Sequence, residues 1–252
     1  MFLPNQKDAK HKAWLYRTLS AIYDDIFLAN KLYFKGGTCA AMRNFLDRFS
    51  VDLDFDYIGK REDFKIVRKK MEKIFSDLGL EVKDQSQNIP QYFLRYPAQQ
   101  NERNTLKIDI SYPAPKSYQY EAVRFSDIDR IIYCQTIETM FANKLIALIE
   151  RYERSGNIAG RDLYDIHYFF INNFRYSDEI IKERRQEKSL SFLRELEIFI
   201  DKKINQTIID QDINTLLAPD KFKKIRKILK GEVLMFIRDE ITRLENEKTA
   251  QA

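Results

Sequence analysis

The stretch FKGGTCAAMRNFLDRFSVDLDFDY, residues 34–57, decides how the rest of the chain is read. It opens with a Gly36-Gly37-Thr38 turn after the short apolar run Leu32-Tyr33-Phe34, and it closes with two aspartates one residue apart. Asp52 and Asp54 alternate with Val51, Leu53 and Phe55, the period of a strand buried on one face. That spacing points both carboxylates the same way, about 6–7 Å apart along the strand. Like charges so placed are costly unless a cation sits between them. A glycine-rich turn opening a helix offers backbone N–H groups to phosphate oxygens. Together these features describe a site for a nucleoside triphosphate with Mg²⁺.

Working outward, residues 8–29 read as a helix with Trp14, Leu15, Leu19, Ile22 and Ile26 on one face. After the turn, Thr38 is placed to cap a helix running to about Leu46. Val51 to Ile58 reads as the acidic strand, and Glu62 to Leu78 as an amphipathic helix that Gly79 ends. Tyr92–Tyr96 and Leu106–Tyr112 read as strands. Pro113 and Pro115 then suggest a boundary. From Thr136 onward the pattern is helical to the C-terminus. The expected organisation is a sheet-containing half over 1–115 and a helical half over 116–252.

Bulk properties set the frame. A chain of 252 residues can bury a substantial core, and 44% hydrophobic with 32% charged residues is ordinary for a globular protein. A net charge of +5 permits contact with a polyanion without demanding it. Cys39 and Cys134 are too few and too far apart for a disulfide framework or a zinc site. No apolar run approaches a membrane span, and the N-terminus lacks the apolar core of a signal peptide, so a cytoplasmic bacterial protein with no membrane association is expected.

Gly36-Gly37-Thr38, Arg48-Phe49-Ser50 and Asp52-Leu53-Asp54-Phe55 resemble the first motif of the AbiEii-type nucleotidyltransferases. These are toxins of toxin–antitoxin and phage-defence systems, related to the MenT toxins and more distantly to polymerase-β-like nucleotidyltransferases. A second block, NKLIALIERYERSGNIAGRDLYDI from Asn143, matches the same pattern through Lys144, Ala147, Arg151 and Arg161-Asp162-Leu163-Tyr164-Asp165. The resemblance implies an α+β fold with a polymerase-β-like core, a small mixed sheet and a helical C-terminal half contributing to the site. It implies that Asp52 and Asp54 hold Mg²⁺ against the triphosphate. Asp109, between Ile108 and Ile110, stands as the third metal-binding carboxylate, with an exposed strand residue beside Lys107 as the alternative.

Gly36, Gly37 and Thr38 alone would suit an ordinary strand-to-helix turn; with the aspartates at the family spacing they read as the phosphate cradle, the Thr38 hydroxyl being a donor to a phosphate oxygen. Lys35 and Arg48 flank it and can meet triphosphate charge, or serve as surface cations. Ser50 belongs to the motif in the MenT relatives, and equally suits a turn. Asp56 continues the alternation but is read as lying past the site. Lys144 sits in an otherwise apolar helix, where a lysine is costly without an anionic partner. The resemblance implies that Asp162, or else Asp165 one turn on, completes the site with it; the alternatives are Asp162 as an acid at a helix N-terminus, or either aspartate pairing with Lys144 or Arg161 in a structural role.

The implied reaction moves a nucleoside monophosphate from an NTP to an acceptor hydroxyl, with the 3′ end of tRNA as the acceptor suggested by the MenT relatives and an antitoxin as the opposing partner. Transfer to a small molecule or protein, or a nucleotide-binding regulator that never turns over, are the alternatives. The run KFKKIRKILK, residues 221–230, reads as the solvated face of an amphipathic helix or as a contact for an RNA backbone.

Overall fold

The computed structural model describes residues 1–99 and 102–250. The chain divides into two compact units, Met1–Thr136 and Ile137–Ala252. In the first unit the elements run α1 (Ala9–Asp24), α2 (Ile26–Ala29), β1 (Leu32–Lys35), α3 (Gly36–Met42), β2 (Asp52–Tyr57), α4 (Phe64–Leu78), β3 (Glu81–Gln85), β4 (Tyr92–Arg95), β5 (Thr105–Ser111), β6 (Tyr120–Phe125) and β7 (Arg130–Gln135). The second holds α5 (Ile137–Ser155), α6 (Gly160–Ile171), α7 (Asp178–Arg185), α8 (Ser189–Lys203), α9 (Gln206–Ile213) and α10 (Pro219–Ala250).

The strands form one mixed sheet in the order β3-β4-β5-β2-β1-β7-β6. β2 runs antiparallel to β1 and parallel to β5, and β1 runs parallel to β7. Leu53 and Phe55 of β2 are fully buried, and Phe55 meets Tyr23 of α1 ring to ring. α1 therefore covers the apolar face of the sheet with Leu15, Leu19 and Ile22, all fully buried. Because side chains alternate along a strand, Asp52, Asp54 and Asp56 stand on the opposite face. α4 buries Phe64, Val67, Met71 and Phe75 and ends at Gly79 in the left-handed conformation (φ 72°), as its sequence predicts.

Two expectations need adjustment. The predicted single helix over 8–29 is interrupted at Asp25, whose extended backbone and side chain cap α2 through the Leu28 N–H. The sheet unit also runs past the prolines, to Thr136 rather than 115. The β6–β7 hairpin accounts for this. β6 is an edge strand, mostly exposed along its length, so it carries no apolar alternation to announce it.

In the helical unit α5 and α6 pack against each other, and α6 also packs on α9 and α10. Leu145, Ile146, Leu148 and Ile149 of α5 and Leu163, Ile166 and Phe169 of α6 are buried. α10 carries the lysine-rich run. Arg226 pairs with Asp210, Lys230 donates to the Asp201 carbonyl, and the Lys221 ammonium lies over the rings of Tyr164 and Tyr168. Lys223, Lys224 and Lys227 are exposed. The amphipathic-helix reading of this run holds, with three of its cations engaged by the unit itself.

Candidate active site

Strand register assembles the polar face of the sheet into rows. Asp54 stands beside Asp109 on β5 and beside Lys35 on β1. In the next row Asp56 stands beside Ser111 and Tyr33, and in the row before, Asp52 stands beside Lys107. Neighbouring strands lie about 4.8 Å apart, so the side chains of Asp54 and Asp109 share one patch of surface. Asp52, Asp54 and Asp109 are all half-buried.

The Gly36-Gly37 turn is built onto these acids. Gly36 has φ 76°, a conformation that costs any residue with a Cβ. A Cβ added there would fall on the Asp54 carboxylate, 2.9 Å from the Asp54 Cβ. At Gly37 an added Cβ would lie 2.8 Å from an Arg48 guanidinium nitrogen and 2.9 Å from the Ser50 hydroxyl. Two bare glycines are thus the condition for the turn to touch Asp54, Arg48 and Ser50 at once. Arg48, read as a possible surface cation, is 2% exposed and donates to the Phe49 carbonyl at 2.9 Å. Ser50 is buried beneath Gly37.

Thr38 departs from expectation. The helix begins at Gly36 with Lys35 as its capping residue, so Thr38 lies inside the first turn. It is fully buried and its hydroxyl donates to the Asp52 carbonyl. A hydroxyl has one hydrogen to give, and in this structure it ties the turn to the acidic strand.

Lys35 also has a protein partner. Its ammonium donates to Asp56 Oδ1 at 2.6 Å and to the Ser111 hydroxyl at 2.8 Å. Asp56, set aside by the sequence reading, is fully buried and further accepts from the Tyr120 hydroxyl at 2.9 Å and Gln135 Nε2 at 2.6 Å. Burial and the Asp56 charge push the Tyr120 phenol far above its ordinary range, so it remains a donor. The signal was present in the sequence, since Asp56 continues the alternation of Asp52 and Asp54. Tyr120, Gln135 and Ser111 carried no such signal.

Asp109 accepts from Gln91 Nε2 at 2.6 Å and pairs with Lys107. Among the described residues no three carboxylate, imidazole or thiol groups stand close enough to hold a metal ion alone. The donor chemistry nevertheless suits Mg²⁺. That ion takes oxygen ligands and is ordinarily bound by one or two carboxylates together with substrate phosphates, not by an all-protein cage.

Behind the acids, α1 anchors the strand entrance. His11 Nε2 faces the Val51 carbonyl at 2.8 Å, an acceptor only, so that nitrogen carries the hydrogen. Nδ1 then accepts from the Tyr96 hydroxyl at 2.6 Å. Burial lowers the His11 pKa to about 4, keeping the ring neutral.

The second motif block forms its own cluster inside the helical unit. Lys144 Nζ lies 2.7 Å from Asp162 and 2.8 Å from Asp165, and Arg151 reaches Asp162 at 3.3 Å. Both aspartates are buried. Burial alone would raise the Asp162 carboxyl, but the charges of Lys144 and Arg151 outweigh it and hold the group at about 2. The structure thus brings together the four motif residues Lys144, Arg151, Asp162 and Asp165, with both aspartates bound to the same lysine.

Comparison with known proteins agrees with these motifs. The profile of the family described as "Nucleotidyl transferase AbiEii toxin, Type IV TA system" matches residues 17–230. The chain belongs to the AbiEii family. It is a toxin-type nucleotidyltransferase, and its mixed sheet with a helical half is a nucleotidyltransferase architecture. A search of curated proteins finds no match.

Two solved structures share the fold across nearly the whole chain. JHP933 from Helicobacter pylori is 20% identical with a TM-score of 0.60, covering 98% of this chain and 97% of that one. MenT4, a nucleotidyltransferase toxin from Mycobacterium tuberculosis H37Rv, is 15% identical with a TM-score of 0.54, covering 94% of this chain and 87% of its own. Membership of a toxin–antitoxin family implies a nucleotide substrate and an antitoxin counterpart for this AbiEii protein. Among the described residues no helix is long and apolar enough to cross a membrane.

Proposed function

We propose that this AbiEii protein transfers a nucleoside monophosphate from an NTP to the 3′ end of tRNA in the cytoplasm, with Mg²⁺, and so blocks translation until its antitoxin intervenes. The observation that supports it best is the seating of the Gly36-Gly37 turn on Asp54, in the row shared by Asp109 and Lys35. That arrangement sets backbone N–H donors beside carboxylates, the pairing a triphosphate carrying a divalent cation requires.

In this reading Asp52, Asp54 and Asp109 would hold Mg²⁺, which supplies polarisation of the α-phosphoryl group and neutralises charge on the pyrophosphate. The Gly36-Gly37 turn orients the triphosphate, with Lys35, Arg48 and Ser50 fixing its shape and charge. Asp109 takes the proton of the attacking hydroxyl. The new bond joins that oxygen to the α-phosphorus, the bond from the α-phosphorus to the bridging oxygen breaks, and pyrophosphate leaves. Lys144 and Asp162 serve the same reaction, with Asp165 holding the lysine. The tRNA acceptor follows from the likeness to the MenT toxins and suits the exposed Lys223, Lys224 and Lys227 of α10. The link to phage defence likewise rests on the family resemblance.

Label transfer tests the proposal. Purified protein and Mg²⁺ are offered each α-labelled NTP with total cellular RNA, beside an Asp52→Ala control. A labelled band of tRNA size, absent from the control, is expected. NTP binding with no labelled RNA would discard the tRNA acceptor and direct the search to protein or small-molecule hydroxyls.

A further inference from the structure

We infer that Asp56 is a positioning residue that sets the nucleotide-binding turn against the acidic row, a role that rests on the triphosphate reading above. The geometry that points to it is a carboxylate joined to both ends of α3. At the N-terminal end Asp56 holds Lys35, the residue that caps α3 and directly precedes Gly36. At the C-terminal end it holds Gln135, whose backbone carbonyl accepts from Arg43 at 2.7 Å. Arg43 is the C-cap of α3.

A sheet of this kind gains little from a buried ion pair for its own sake, because desolvation offsets most of the attraction. The location supplies a reason. β1 and β7 are in register at one position, Phe34 with Cys134, so the seam between the acid-bearing strands and the β6–β7 hairpin is thinly hydrogen-bonded. Asp56 reaches across β1 to Gln135 on β7 and Tyr120 on β6, closing that seam from the polar face. Through Lys35 it also engages Ser111 on β5. The Gly36-Gly37 turn emerges directly from β1, so whatever fixes β1 fixes the turn.

Lys35 is the charged end of this linkage. Its ammonium spends two N–H groups on Asp56 and Ser111, its side chain remains 18% exposed, and it stands in the row of Asp54 and Asp109. An ammonium has three donors, and the third is available to an anionic oxygen. Asp56 thus holds Lys35 beside the acids with one donor left for the triphosphate, and holds the glycine turn where its N–H groups meet the same ligand.

Asp56→Asn tests this, since the amide keeps the shape and removes the charge that Lys35 and the turn lean on. In the ligand-free variant, hydrogen exchange at the amides of residues 36–42 is expected to quicken at least tenfold, with the β3–β4 edge of the sheet unchanged. In label transfer with each α-labelled NTP and Mg²⁺, KM for the preferred NTP is expected to rise at least tenfold while kcat stays within about threefold. A merely structural role would quicken exchange throughout the sheet and leave KM alone. Should Asp56→Asn fail to fold, the double variant Lys35→Met/Asp56→Asn removes both charges, and exchange alone is read on it, because Lys35 itself meets the triphosphate: acceleration confined to 36–42 sustains positioning, and uniform or absent acceleration overturns it.

Wild-type exchange at residues 36–42, a wild-type KM, or a fall in kcat at unchanged KM would overturn the inference. If the wild type neither binds nor transfers any NTP, the functional reading fails separately. The exchange measurement then decides positioning alone: acceleration confined to 36–42 sustains it, and uniform or absent acceleration overturns it.

Discussion

The acids of the sheet and the acids of the helical unit have the same chemistry and opposite settings. Asp162 and Asp165 are enclosed, and Lys144 and Arg151 balance them inside the same unit. Asp52, Asp54 and Asp109 are half-buried on the polar face of the sheet, with Asp54 and Asp109 on adjacent strands. A buried, balanced cluster is expensive to disturb. Half-buried carboxylates on adjacent strands repel one another, and a cation beside them relieves that cost. The family resemblance assigns both groups to the site, and their surroundings differ: one is enclosed among cations of its own unit, the other half-buried along neighbouring strands.

The largest effect that can break this comparison is on catalysis. Asp54→Asn should lower label transfer by on the order of 10³-fold, the loss expected when one electrostatic group at a reacting centre is removed. Its unfolding free energy should stay within about 1 kcal/mol of wild type, because the side chain is not fully enclosed. Urea unfolding beside the transfer assay checks both halves. An Asp54→Asn protein that transfers normally would remove the acidic row from the chemistry.

Next comes Lys144→Met, which leaves two buried carboxylates without their shared cation. Stability should fall by about 3–5 kcal/mol in urea unfolding. Adding Asp162→Asn should restore part of that loss, since it removes one of the stranded charges. Label transfer should fall with it, since the lysine serves the reaction; if Lys144→Met instead unfolds like the wild type while transfer collapses, its ion pairs are secondary to that role.

The smallest effect distinguishes the units by acid. His11 has a folded pKa of about 4 against 6.5 unfolded, so the unfolded chain binds the proton first as pH falls. Stability is complete above about 6.5 and declines down to about 4, by about 3 kcal/mol in all. Asp162, held at about 2 against a reference of 3.8, contributes stability above 3.8 that is lost only as pH falls toward 2, about 2 kcal/mol. The sheet unit should therefore loosen before the helical one. Trp14, the single tryptophan, stacks on Tyr96 beside His11, so its fluorescence reports the sheet unit. His11→Gln should flatten the response between pH 6.5 and 4, and an unchanged slope would dismiss the histidine as its source.

Particular residues show where the sequence was legible. The Asp-Leu-Asp-Phe alternation and the Gly-Gly turn announced β2 and the start of α3, because period and backbone permissiveness are local properties. Gly79 announced the end of α4 for the same reason. The β6–β7 hairpin was not announced, since an edge strand with exposed side chains lacks the apolar period. The acceptor of the Thr38 hydroxyl is the Asp52 carbonyl, fourteen residues away, a partner that no local rule supplies. Asp56 was set aside because its partners Lys35, Tyr120 and Gln135 come from three other strands.

By itself, then, the sequence determined the chemistry on offer: an acidic strand, a bare glycine turn, and a lysine and two aspartates on consecutive helices. Those follow from residue type and spacing along one strand or one helix. Tertiary structure alone decided which charges face one another, because strand register and burial bring together residues such as Asp54 with Asp109, and Asp56 with Gln135. A carboxylate's role depends on what neutralises it, and that is a property of neighbours in space.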